Sequence, residues 1–515
     1  MTSINPPTIL SANGTLSTTW SLESATVSIP NSNIEITSRL FNGQLPGATL
    51  RIQPGDTLKI NFQNLLTDNN GALGYVHNTY SAADETNLHF HGLHVSGELP
   101  SDDVTHVVGP GESYDYMTTL PDSHLPGTHW MHPHRHGSTS LQVGAGAASA
   151  IVVEDPPDFL PDQIANAPEV MFMAQYFHVN ELNRIQEQSN DQLTNIRNAP
   201  SNEFTLVNGA LQPTISINPG EWTRFRIIWS QWRNGNLDFS IVAQGGCEMQ
   251  LLAKDGIYIR DYPRAIDMAP IVPGGRADIM VRCRDPSTYY SISGQGGTLA
   301  TIVTTDVEVE SSDLEAWEPP YPAYLSDLRG ATVSPGCSCT TEFDGTDTVN
   351  GIAFEYGLTL HTSYLGAVVE RVMGGQANEH PYHQHVYPFQ LTTGYNNNRD
   401  AYNQIGDWHD VVMGDGTIRY SPTEFTGKLM VHCHRLIHED LGMMAMEQVG
   451  EQEGGTCSCT AAPGLGLGAI IGIAAGAVLI VAIIVGFCVY RRKRRIRAAA
   501  EVADNNDLEL LETEK

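Results

Sequence analysis

Short runs that alternate between apolar and polar residues dominate the chain before residue 460. Ala25–Ile29, Asn33–Ser38 and Thr57–Phe62 switch at nearly every step. Alternation of period two turns successive side chains to opposite faces, so each run reads as a strand with one buried face. Gly and Pro punctuate the runs, and long patterns of helical period are scarce. This is the composition of an all-β protein built from sandwiches or barrels. The punctuation also repeats. Phe41-Asn42-Gly43, a proline and Pro54-Gly55-Asp56 are echoed by Val207-Asn208-Gly209, Pro213 and Pro219-Gly220-Glu221. Pro-Gly before a polar residue is turn chemistry. The echo therefore predicts duplicated sandwich domains.

The pattern changes once. Gly464 to Tyr490 carries no charge and is followed by Arg491-Arg492-Lys493-Arg494-Arg495. A helix of that length spans about 40 Å, more than a hydrocarbon core of about 30 Å. The basic cluster predicts that the tail, residues 491–515, is cytoplasmic. The expectation is a single-pass membrane protein with its catalytic domains on the extracytoplasmic side. Met1 to Ser21 has no basic segment leading into an apolar one, so it does not read as a signal peptide. That sits uneasily with export and points to an incomplete or processed N-terminus.

At 515 residues the chain is too long for one core and suits two or three domains. A formal net charge of −30 argues against a nucleic-acid partner and fits a secreted-type surface. The eight cysteines divide by context. Cys247 and Cys283 read as a disulfide, with two buried thiols as the alternative. Cys337-Ser338-Cys339 and Cys457-Ser458-Cys459 read as two bridges clasping the segment between them, their connectivity open and a thiolate metal site as the rival. Closing a loop of this size would stabilise by ~4–5 kcal/mol in the chain-entropy model.

Cys433 changes the picture. In His432-Cys433-His434, continuing to His438 and Met443, the imidazole and the thioether lie five and ten residues beyond the thiol. Two imidazoles, a thiolate and a weak axial thioether are the ligand set of an electron-transfer copper site. On an extended strand His432 and His434 face away from Cys433 and can bind metal on the other side. Three more clusters each hold a His-x-His pair: His89-Phe90-His91-Gly92, Trp130-Met131-His132-Pro133-His134 and His380-Pro381-Tyr382-His383-Gln384-His385. One such pair is weak evidence. Four pairs, one of them bracketing a cysteine, point to a multinuclear metal protein.

These four motifs, in this order, resemble the multicopper oxidases, and the likeness runs over residues 25–450. The resemblance implies three cupredoxin-like domains, placed at 24–156, 165–310 and 343–450, followed by the transmembrane helix at 464–490. It implies four coppers. His380, Cys433 and His438 would hold the type 1 copper with Met443 axial; His89 and His383 the type 2 copper; and His91, His132, His134, His385, His432 and His434 the type 3 pair. Val386 and Tyr387 depart from the family's usual Gly-His, and neither is a ligand position. The middle domain has only His178 and would bind no copper. His94, His129 and His136 fall off the ligand spacing and read as supporting or surface residues. By the same likeness electrons would enter at His438 and pass through Cys433 to His432 or His434, and dioxygen would be reduced to water. Glu439 and Asp102 would carry protons. Met443 implies a lower type 1 potential than Leu or Phe would give.

Two reducing substrates compete. Thr128–Ser138 and His438-Glu439-Asp440 resemble Met-axial laccases of the bacterial spore-coat type, which implies phenols and aromatic amines. The alternative is a metallo-oxidase acting on ferrous or cuprous ion, for which an acidic surface and a membrane anchor beside an iron permease would be suited.

Overall fold

The computed structural model describes residues 5–67, 75–242, 246–295, 297–392, 401–452 and 455–459. The expected membrane span at 464–490 lies outside these residues. Among the described residues no helix is long and apolar enough to cross a membrane.

Six sheets form three sandwiches. In the first, a sheet ordered Thr8–Leu10, Thr49–Ile52, Ser149–Val153, Gly127–His132, His89–His91 packs on a sheet centred on Thr15–Ser28. Trp20, Phe41 and Phe62 from one sheet meet Leu50, Phe90, Met131 and Ile151 from the other, all buried. Each of the three runs read as strands from their alternation falls within or overlaps a strand: Thr15–Ser28, Glu35–Phe41 and Thr57–Asn64. This sandwich begins ahead of residue 24, since Thr8–Leu10 and Thr15–Ser28 pair in parallel with Thr49–Ile52 and Thr57–Asn64. It also borrows Asn195–Arg197, which pairs with Glu35–Thr37.

The middle sandwich is built on Glu169–His178, Thr223–Ser230, Cys247–Lys254 and Arg276–Cys283. The third sets Ser338–Asp344, Val369–Gly375 and Gly416–Tyr420 against Thr359–Tyr364, Gly427–Cys433 and Met444–Gly450. Phe343, Val369 and Ile418 of one sheet close on Leu429, Val431 and Val449 of the other. The fold is all-β, as expected.

One hairpin device recurs in all three sandwiches. Asn42-Gly43, Asn208-Gly209 and Asn350-Gly351 all have positive φ at both residues, the backbone a tight two-residue hairpin requires. Each Asn side chain then accepts a neighbouring strand's N–H: Ser21 at 2.7 Å, Met173 at 2.9 Å and Glu342 at 2.7 Å. The repeat seen twice in the sequence thus has a third copy.

Disulfides join Cys247 to Cys283, Cys337 to Cys457 and Cys339 to Cys459. The open pairing resolves as two parallel bridges between the ends of the third sandwich. Cys433 is buried with a free thiol.

Candidate metal centre

Strand geometry decides which ligands meet. His89–His91 pairs antiparallel with Gly127–His132, setting His89 opposite His132. In the third sandwich Tyr382–Gln384 pairs with Gly427–Cys433, setting His383 opposite His432 and Tyr382 opposite Cys433. The two strand pairs abut, and eight imidazoles converge in three groups: His89, His91 and His383; His91, His132 and His434; His134, His385 and His432. Every group draws on both outer sandwiches. A separate group joins His380, Cys433 and His438. All the imidazole and thiol ligand positions expected from the sequence therefore come together.

The convergent rings are poised to receive a cation. Four of them have Nδ1 committed: His89 to Asp102 at 2.9 Å, His132 to the Pro133 carbonyl at 2.9 Å, His383 to the Asp410 carbonyl at 2.8 Å and His432 to the Cys433 carbonyl at 3.1 Å. This leaves Nε2 as a lone pair pointing inward. Across the convergent rings Nε2 atoms lie close together, with Nε2–Nε2 separations of 3.5 Å for His89 and His383, 3.0 Å for His134 and His432, and 3.2 Å for His385 and His432. Two metal–imidazole bonds of about 2 Å span such gaps. His434 and His91 have no hydrogen-bond partner on either ring nitrogen. Burial, then the neighbouring imidazoles, holds His89, His383, His385 and His432 well below the ordinary imidazole range. Buried, neutral and otherwise unpartnered nitrogens of this kind fit copper.

In the second group His380 Nδ1 lies 3.4 Å from Cys433 Sγ and 3.2 Å from His438 Nδ1, with Cys433 Sγ to His438 Nδ1 at 3.9 Å. Burial pushes the Cys433 thiol up to about 12, so a thiolate here requires a bound cation. Met443 is buried, and its carbonyl accepts the Cys433 N–H at 3.1 Å. His438 is 8% exposed against 1% for His380, which makes His438 the ring nearer solvent. Burial, then His380 and Arg435, lowers His438 to about 3, and burial, then Arg435, lowers His380 to about 4.

The two expected proton carriers sit differently. Glu439 is fully buried, with Oε1 3.4 Å from His136 Nδ1 and 3.8 Å from His134 Nδ1. Burial raises its carboxyl to about 8. Asp102 accepts from His89 Nδ1 and from the Phe90 N–H at 2.9 Å, so it also fixes the tautomer of a ligand. Of the spare histidines, His136 leans on Glu439 and on Asn78 at 2.8 Å, and His94 Nδ1 donates to the Val386 carbonyl at 2.8 Å. His129 is buried without a partner on either nitrogen. His178 caps a helix by accepting the Glu181 N–H at 3.1 Å.

Sequence reasoning missed three features. Val386 has φ +64°, a left-handed backbone rare for a β-branched residue, which turns its carbonyl toward His94. Gly274, from the middle sandwich, sits so close to His434 that a Cβ would stand 2.6 Å from the ring. Asp410 lies beside His91 and His383 at 3.4 and 3.8 Å. A lone Asp or Gly outside a motif carries no sequence signal; only the tertiary fold brings these to the metal ligands.

Known proteins agree with this geometry. The chain is 24% identical over 427 residues to the multicopper oxidase mco of Staphylococcus haemolyticus, covering 79% of this chain and 83% of the relative. Its fold matches a laccase of Pediococcus acidilactici with a TM-score of 0.68 at 19% identity, over 86% and 92% of the two chains. It also matches a Campylobacter jejuni multicopper oxidase described as a metallo-oxidase, with a TM-score of 0.64 at 19% identity over 87% and 95%. Multicopper oxidase family models match residues 74–158, 169–311 and 326–453. The chain belongs to the multicopper oxidases, copper-dependent oxidoreductases that use dioxygen.

Proposed function

We propose that the chain is a laccase-like oxidase of phenols and aromatic amines, held at a membrane by residues 464–490 with its catalytic domains outside. The observation that carries the substrate choice is Arg435. Its charge acts on both His380 and His438. Arg233 and Glu379 lie within electrostatic reach of it. A fixed cation beside the electron doorway repels ferrous and cuprous ions and tolerates neutral or anionic aromatic donors. Glu379, the acid next to His380, is offset by Arg435.

In this reading His380, Cys433 and His438 would hold the type 1 copper, with Met443 as a further donor. His89 and His383 hold the type 2 copper. His91, His132 and His434 hold one type 3 copper, and His134, His385 and His432 the other. When bound, copper supplies one-electron oxidation of the donor and four-electron reduction of dioxygen to water. The protein's own part is placement. His438 presents the ring nearer solvent to the donor. The peptide of His432-Cys433-His434 links the two centres covalently. Asp102 and the Asp410 carbonyl hold His89 and His383 with Nε2 inward. Glu439, buried between His134 and His136, holds a proton close to the cluster, and Asp102 is the second acid.

The metallo-oxidase reading keeps as supports the expected membrane anchor and the net charge of −30, which attracts cations at long range; it would bring an iron permease as partner. Arg435→Glu separates the two. It should raise the ferrous-to-phenol ratio of kcat/KM by about tenfold or more, a change of about 1.4 kcal/mol at the doorway. An unchanged ratio would remove Arg435 as the basis of substrate choice.

A further inference from the structure

The middle sandwich has no place in the ligand set, yet it inserts buried charges beside the type 2 histidines. Arg276 is 0% exposed. Its Nη1 donates to Asp410 Oδ1 at 2.7 Å and its Nη2 to Oδ2, a two-pronged grip. Its backbone N–H donates to Asp255 Oδ1 at 3.0 Å, and Asp255 Oδ2 takes His409 Nδ1 at 2.9 Å. Lys254 donates to the Tyr402 carbonyl at 2.9 Å and also to Asp407. Arg264 of the middle sandwich also donates to Asp407, at 2.8 and 2.9 Å, so the segment 402–410 of the third sandwich is pinned to the middle one by several buried cation–anion and ring–anion links.

That segment ends on the atoms that orient a ligand. The Asp410 carbonyl accepts His383 Nδ1 at 2.8 Å and the Gln384 N–H at 3.0 Å. Its carboxylate Oδ1 lies 3.4 Å from His91 Nε2. Room for the grip comes from Gly92, at φ +91°, where a Cβ would fall 2.1 Å from Arg276 Nη2 and 2.7 Å from Asp410 Oδ2. The glycine that follows His89-Phe90-His91 is therefore a slot for an arginine from another domain.

We propose that Arg276 is a positioning residue for the type 2 copper, acting through Asp410 on its ligand His383. Without the guanidinium, the buried Asp410 carboxylate loses its counter-charge and must turn toward another donor. The nearest ring nitrogens belong to His91 and His383, the ligands themselves. Loss of Arg276 then frees the carbonyl that keeps His383 Nε2 aimed at His89, while His380, Cys433 and His438 are untouched. The inference rests on the assignment of His89 and His383 to one copper.

The test uses copper-loaded protein dialysed against graded concentrations of a copper chelator. The type 2 signal in electron paramagnetic resonance and the blue absorption of the cysteine site are followed together. Arg276→Gln should lose the type 2 signal at about 10–100-fold lower chelator than wild type, the usual cost of removing an outer partner of a metal ligand. Its blue band should persist. Arg276→Lys, which keeps the charge without the fork, should fall between, and carries the same test if Arg276→Gln does not fold. Arg39→Gln breaks another buried ion pair, with Asp191 at 2.8 Å, and should show no selective loss. A type 2 signal in Arg276→Gln that follows wild type, or a parallel loss of both signals matched by Arg39→Gln, overturns the proposal. If wild type gave no type 2 signal at all, the copper assignment itself would fail and the proposal with it.

Discussion

Cys433 carries the densest information of any residue in the chain. Its side chain is buried with a thiol pushed to about 12, between His380 and His438, while its carbonyl takes the Nδ1 proton of His432. One residue therefore touches both metal groups. Cys433→Ser should abolish the blue colour and turnover and lower copper by about one ion per chain, since a hydroxyl is a poor ligand for this site. Metal analysis and absorption measure both. A variant that stayed blue would remove Cys433 from the type 1 site. At this scale the sequence was most readable: ligand spacings within a strand are local, so His-x-His and the positions of His438 and Met443 needed no tertiary knowledge. Partnering was not readable. That His432 joins His134 and His385, while His434 joins His91 and His132, depends on how the first and third sandwiches abut.

At the scale of elements, the turns of the middle sandwich shape the site as firmly as the ligand strands do. Gly274 has φ +81° and packs against the His434 ring. Gly274→Ala adds a methyl group where the ring sits and strains a left-handed backbone, costing roughly 1–3 kcal/mol. The thermal midpoint should fall, and His434 should be displaced, weakening the coupling of the type 3 pair in magnetic measurements. Wild-type magnetic behaviour in this variant would show that the loop yields instead. The strands themselves were legible from period-two alternation. The extent of the first sandwich was less so: Thr8–Leu10 and Asn195–Arg197 are three-residue strands whose place is set by pairing, and no pattern that short marks a strand. Disulfide connectivity was hidden for the same reason, since Cys-Ser-Cys on both sides fits either pairing.

At the scale of the whole molecule, the ligand residues and the proposed tether separate along the chain. Every ligand lies at or before Met443, and the last bridged cysteine is Cys459. A chain ending after Cys459 keeps both clasps on the third sandwich. It should be water-soluble, carry its copper and oxidise substrate at a rate within about twofold of the full chain, because every proposed ligand and all three disulfides lie within the retained residues. Loss of activity in this shortened, copper-loaded protein would tie residues beyond 459 to the site. The charged contacts of the middle sandwich give the same molecule its coherence. Arg276, Lys254 and Asp255 reach the third sandwich, while Arg226 reaches Thr128 of the first at 3.0 Å. A cluster shared by two domains forms only when both dock, so copper binding and docking stabilise each other.

The most direct measurement is steady-state oxygen uptake by the copper-loaded protein, with a simple phenol and with ferrous ion as alternative electron donors under one set of conditions. Arg435 beside His380 and His438 predicts the higher kcat/KM for the phenol. A higher value for ferrous ion would contradict the laccase-like reading and establish the metallo-oxidase in its place.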